Sequence, residues 1–213
     1  MAMMEIRVGV TGRRVLPPGM EALLAREFER QIHLALDRVS DTYTVVTPLA
    51  EGADRLVARE VLKRPNSRME VVLPMLEADY LQTFETDAAR NEFRRMIAGH
   101  SLRVLRQEPI PTGAGRAEAL EDAYWASGEY VVRNCDILFA LWDGLPSKGS
   151  GGTSYVVEFA RKLGRKIVIL WTDGKSETVA IEGPPPRDRA GSTPDSEPQP
   201  SPSPVRVPSA RAS

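Results

Sequence analysis

The chain has 213 residues, 42% of them hydrophobic and 27% charged, a globular composition with room for one real core and little room for two. Its 28 basic and 29 acidic side chains leave a formal charge of −1, so no global field draws it onto nucleic acid or an anionic membrane. The single cysteine, Cys135, excludes an intrachain disulfide and fits a reducing, cytoplasmic setting.

The chain alternates strand and helix patterns. Residues 5–11 form a short β-rich run closed by Gly12. Residues 20–39 carry Leu24, Phe28, Ile32 and Ala35 at helical spacing. A strand over 43–47 is closed by Pro48, and a helix over 53–63 follows. The strand over 69–73 is closed by Pro74, and the helical stretch 87–99 ends at a glycine. A short strand is expected over 102–105, a loop over 108–115 and a long helix over 117–134. Cys135, at the head of the next apolar run, reads as a buried small hydrophobe. The strands 137–142 and 166–171 flank a helix over 154–163 that stops at Gly164.

This alternation predicts parallel pairing with right-handed crossovers. The continuously apolar strands 137–142 and 167–171 predict a sheet covered on both faces. The expected fold is a three-layer, doubly wound, mainly parallel Rossmann-like α/β domain over residues 1–174. No aromatic residue follows Trp171, and Gly183 leads into three prolines and a Ser/Pro/Arg mixture. Residues 175–213 therefore read as a disordered tail. The first residues lack a signal-peptide layout, and no apolar run reaches membrane-spanning length.

The chemistry-bearing residues fall at strand ends, where doubly wound folds bind ligands. Thr11, Gly12, Arg13 and Arg14 close the first strand. A glycine permits the tight turn, and two guanidiniums can grip a phosphate through bidentate hydrogen bonds. Glu51 and Gly52 close the second strand, with Glu51 placed to accept from ribose hydroxyls or a base edge. Asp54 and Arg55, at the next helix start, read as structural. Tyr80 reads as packing, and Tyr124 as a residue lining the cleft.

Trp142, Asp143 and Gly144 end the fifth strand; Asp143 either acts on a sugar or water, or caps a turn. The loop that follows carries Gly151, Gly152 and Thr153 before a helix, an arrangement that aims backbone N–H groups and a positive helix end at an anion. The chain has neither a Gly-x-Gly-x-x-Gly fingerprint nor a P-loop lysine, so no cofactor is expected. His33 and His100 stand far apart without ligand company, so no metal site is expected.

Together these pieces resemble the SLOG superfamily. It groups bacterial nucleotide-sensing domains with the "lonely guy" (LOG) phosphoribohydrolases and the DNA-processing protein A fold. The matching segments are Val8 to Arg14, Pro48 to Leu56, Val71 to Pro74, Cys135 to Leu138, Leu141 to Gly144 and Gly151 to Thr153. The resemblance implies a nucleotide or nucleotide-derived signalling ligand as partner, its phosphate on Gly151, Gly152 and Thr153 with Gly12 and Arg13 close by. Related folds often pair, so the resemblance leaves a homo-oligomer open as a further partner. The LOG hydrolases carry a catalytic glutamate three residues after the threonine, and here that position is Val156. Glu158 lies two residues on, rotated about 200° around a helix.

The expected function is therefore ligand binding or sensing rather than catalysis. The alternative is N-glycosidic cleavage of a nucleoside 5′-monophosphate, with Glu158 or Asp143 supplying the carboxylate. A second alternative is single-stranded DNA binding of the DNA-processing protein A kind, against which the near-neutral charge argues.

Overall fold

The computed structural model describes residues 5–16, 42–147, 152–172 and 179–184, together with 22, 25–27, 29 and 30. The strands are β1 (Glu5–Gly12), β2 (Thr42–Thr47), β3 (Ser67–Leu73), β4 (Ser101–Val104), β5 (Ile137–Trp142), β6 (Lys166–Trp171) and β7 (Val179–Glu182). Between them lie α1 (Ala53–Leu62), α2 (Glu77–Leu81), α3 (Asp87–Ile97), a 3-10 turn (Gly113–Gly115), α4 (Arg116–Arg133) and α5 (Thr153–Lys162). The sheet order is β4-β3-β2-β1-β5-β6-β7. Every pairing is parallel except β6 with β7. This is the expected Rossmann-like α/β fold with a mainly parallel sheet.

The strand order puts the switch point between β1 and β5. From β1 the chain steps outward through β2, β3 and β4, then returns through α4 to pair β5 with the other side of β1. Crossovers on either side of that point run in opposite directions, which leaves a crevice at the strand carboxyl ends.

Alternating side chains of the strands feed two apolar layers. On one face Val8, Val10, Val45 and Val71 meet Leu56, Val57 and Val61 of α1 and the Tyr80, Phe84 and Phe93 rings. On the other, Val46, Leu138, Ala140, Ile167 and Ile169 meet Val131 and Val132 of α4 and Val156, Val157 and Ala160 of α5. Cys135 is fully buried as expected, and burial pushes its thiol up to about 12, so it packs as a neutral apolar group.

Several elements differ from the expectation. The strand β7 lies past the boundary placed at residue 174 and forms the antiparallel edge of the sheet. Four residues inside a polar stretch offer no periodicity, and an edge strand buries too little to need an apolar run. For the same reason the five-residue helix α2 goes unseen in the sequence. The strand expected over 102–105 is Ser101–Val104, and the loop over 108–115 contains the 3-10 turn. Of the helix expected over 20–39, residues 22, 25–27, 29 and 30 are helical; the rest lies outside the described residues, as does the tail beyond 184.

Helix α3 starts where Thr86 Oγ1 accepts from Ala89 N at 3.1 Å, the geometry of an N-cap. Thr86→Ala should lower stability by about 1 kcal/mol, read from urea unfolding midpoints at unchanged slope.

Candidate ligand-binding site

The site begins with the packing of the β1 exit. Gly12 pairs with Leu141 of β5, and a Cβ on it would lie 2.6 Å from Ala53 Cβ and 2.8 Å from Leu141 Cβ. A side chain there would push α1 off the sheet. The next turn sits directly on the start of α1: Ala53 N donates to Arg13 O at 3.2 Å. Gly52 caps that helix with φ 77° and ψ −118°, a conformation that glycine adopts and other residues resist. The preceding residue pattern is also constrained: Leu49 is fully buried with φ 55°, and its N–H donates to Thr47 Oγ1 at 3.0 Å. Strand ends β1 and β2 are thus locked to each other through backbone contacts.

The two arginines diverge from this turn. Arg13 reaches across the switch point, its Nη2 3.3 Å from Asp143 Oδ2 at the end of β5. Its guanidinium remains about half exposed. Asp143 uses its other oxygen to accept from Leu145 N at 3.1 Å, so it caps the turn after β5 as well as holding Arg13.

Arg14 points toward α2 and α4. Its Nη1 donates to Thr83 O and Thr83 Oγ1, both at 3.3 Å, and its guanidinium lies 5.2 Å from the Tyr124 ring centre, within cation–π range. Among the described residues no carboxylate lies within ion-pair distance of it. Burial opposes the Arg14 charge, yet Tyr80, Tyr124 and Asp54 together raise its pKa. Behind it Asp54 is 4% exposed and accepts from Ala50 N at 3.1 Å. Burial raises its carboxyl to about 7 against the pull of Ala50 N–H, Arg14, Thr47 and Arg55.

The glycine loop after β5 is only partly described: Gly151 lies outside the described residues. Its visible ends are clasped together. Ser147 N donates to Ser154 Oγ at 2.9 Å, and Ser154 N donates to Ser147 Oγ at 3.0 Å. Gly152 is the N-cap residue of α5, without a side-chain cap, and Thr153 begins the helix half-buried. The clasp ties Ser147 to the start of α5 and takes up the Ser154 N–H that an anion would otherwise meet.

Trp142 stacks on Trp171 at 5.5 Å, and Arg161 covers its ring at 5.8 Å. Its Nε1 donates to Leu145 O at 3.0 Å. Packed against Trp171 and Arg161 and bonded to Leu145, it supports the turn after β5, and Gly144, at φ 77°, lies against the edge of Trp171. Thr11 is buried inside β1, and Glu51 is half-buried at the turn before α1. Glu158 lies outside this group, on the exposed side of α5, where Arg161 Nη1 donates to it at 2.5 Å. Val156, three residues after Thr153, is 3% exposed in the apolar layer.

The structure therefore brings Gly12, Arg13, Arg14, Gly52 and Asp143 to one rim. Tyr124 joins them as the sequence predicts. Thr83 and the Ser147–Ser154 clasp were missed: Thr83 belongs to the region of α2, where the sequence shows no pattern, while paired serines on either side of a glycine loop were a readable signal. Among the described residues no group of three or more His, Cys, Asp or Glu side chains is placed to hold a metal ion, and no helix is long and apolar enough to cross a membrane.

This geometry defines a Rossmann-like domain with a cationic rim at its topological switch point. The same fold occurs in a solved structure, DNA processing protein A (DprA) from Streptococcus pneumoniae, at a TM-score of 0.50 and 19% identity. The match covers 77% of this chain and 50% of that one, so the chain spans about half the length of the structure it resembles. No protein-family model and no curated protein matches the chain.

Proposed function

We propose that the rim at the ends of β1, β2 and β5 binds the phosphate of a nucleotide or nucleotide-derived signalling ligand. The carrying observation is the pair of guanidiniums on one turn, Arg13 tethered across the switch point and Arg14 without a carboxylate partner among the described residues. A cation held by neutral hydrogen-bond partners, with no carboxylate closing an ion pair on it, keeps attraction to offer an incoming anion. Binding has more support than N-glycosidic cleavage. The two carboxylates expected to serve catalysis are engaged, Asp143 by Arg13 and Glu158 by Arg161.

Thermal unfolding against nucleoside monophosphates, ADP-ribose and cyclic oligonucleotides tests the reading. At least one should raise the midpoint in a concentration-dependent way. Arg14→Ala should weaken that ligand about tenfold or more, and a flat response across the panel would remove the proposal.

A second reading is favoured by the fold match to a protein named for processing DNA. That neighbour weighs against the sequence argument from net charge, since a local cationic rim can grip a phosphate backbone whatever the total. A gel shift on single-stranded DNA that weakens steeply with salt, and that Arg13→Ala reduces, would favour this reading over the small ligand.

A further inference from the structure

The turn bearing Arg14 and the helix bearing Asp54 are a single packed unit. Arg13 O accepts from Ala53 N, and the Arg14 carbonyl lies against Gly52 closely enough to exclude a Cβ. Asp54, one residue into α1, is therefore fixed beneath the arginine turn. Among the described residues, Ala50 N–H and Thr47 are its hydrogen-bond partners, and Arg14, Arg55 and Tyr80 are titratable or charged groups that face it. Arg55 is already committed, donating to Leu49 O and to Glu92. Among the described residues the partners of Arg14 are neutral, Thr83 and Tyr124. Asp54 and Arg14 thus attract each other through the interior without closing an ion pair.

We propose that Asp54 competes with the ligand for Arg14, so that the rim takes up an anion together with a proton. This rests on the anion-binding reading above. With Asp54 ionised, its charge offsets that of Arg14 and weakens the rim. With Asp54 protonated, the full guanidinium charge faces the anion. By reciprocity the bound anion makes Asp54 harder to ionise, so a proton enters from solvent as the anion binds. The carboxyl changes charge near pH 7, which places the effect in the working range of a cell. Affinity is highest below that value and falls as pH rises through it.

The test uses the full chain and two probes that do not titrate between pH 5.5 and 8.5: sulfate, and ADP-ribose, whose pyrophosphate is esterified at both ends. Calorimetry in buffers of different ionisation enthalpy should show proton uptake near pH 7, and affinity should fall by about tenfold from pH 6 to pH 8.5. Asp54→Asn keeps the acceptor for Ala50 N–H and removes the charge. It should abolish both the uptake and the pH dependence, binding at pH 8.5 as tightly as the parent binds at pH 6. Asp54→Ser gives the same comparison if the asparagine variant folds poorly. Binding that is equally pH-independent in parent and variant overturns the proton coupling alone. Binding of neither probe at any pH overturns the anion-binding reading, and this inference with it.

Discussion

Gly52→Ala should destabilise the domain by about 3 kcal/mol or more and should remove with it the anion binding proposed for the rim. Two costs add at this position. The backbone holds φ 77° and ψ −118°, a region that a side chain resists. In addition, the new Cβ would lie 2.3 Å from Arg13 O and 2.5 Å from Arg14 O. Both are main-chain atoms, so no rotamer change relieves the clash. Relief requires the turn after β1 to lift from α1, which breaks the bond from Ala53 N to Arg13 O and carries both guanidiniums away. Gly113 supplies the control: its φ is also 77°, but nothing lies within 4 Å of its Cβ position. Gly113→Ala therefore bears the backbone cost alone, about 1 kcal/mol, and leaves the rim intact. Urea unfolding of the two variants, with ligand binding measured in parallel, separates the terms. A Gly52→Ala protein as stable as Gly113→Ala would mean that the turn does not rest on α1 as described.

What the sequence revealed follows from what each element buries. Ile137–Trp142 and Lys166–Trp171 lie deep in the sheet, so selection for apolar side chains writes them as unbroken runs with matching ends. The helices α3 and α4 bury one stripe each and show it as periodicity. Val179–Glu182 contacts the sheet along one edge and carries an exposed isoleucine and a glutamate, so its pairing is set by register with β6 and leaves no pattern of its own. The rim was half legible for a related reason. Glycines and arginines at strand ends are local features, and the strand-end rule places them on one side of the sheet. Which arginine meets which partner is decided by topology. Arg13 finds Asp143 only because β1 and β5 are neighbours, and Arg14 finds Thr83 only because α2 folds over the β1 exit. The structural reading of Asp54 from the helix dipole missed that its burial beneath Arg14 leaves it poised near neutrality.

Position 156, three residues after Thr153, is where the resemblance to the LOG hydrolases leads to the expectation of a glutamate, and the chain carries valine there. Val156 is 3% exposed and sits in the seam between α4 and α5, where a Cβ on Gly128 would come within 2.7 Å of Val156 Cγ2. The two helices approach there because one residue has no side chain and the other fills the gap. Val156→Glu would drive a longer, ionisable side chain among Val46, Val131, Val132 and Val157. The expected loss is about 3 kcal/mol or more, from burying an unpaired carboxyl and overpacking the seam. Its pH dependence identifies the cause. Burial raises the folded-state pKa of such a carboxyl, so the variant is closest to the parent below the unfolded-state pKa of about 4.3 and loses stability as pH rises through the folded-state value. Val156→Gln carries the size and polarity without the charge, and its loss should not vary with pH. Urea unfolding of both variants between pH 4.5 and 8 makes the comparison. If Val156→Glu instead costs less than about 1 kcal/mol with no pH dependence, as expected of a solvated carboxylate, position 156 opens on the rim.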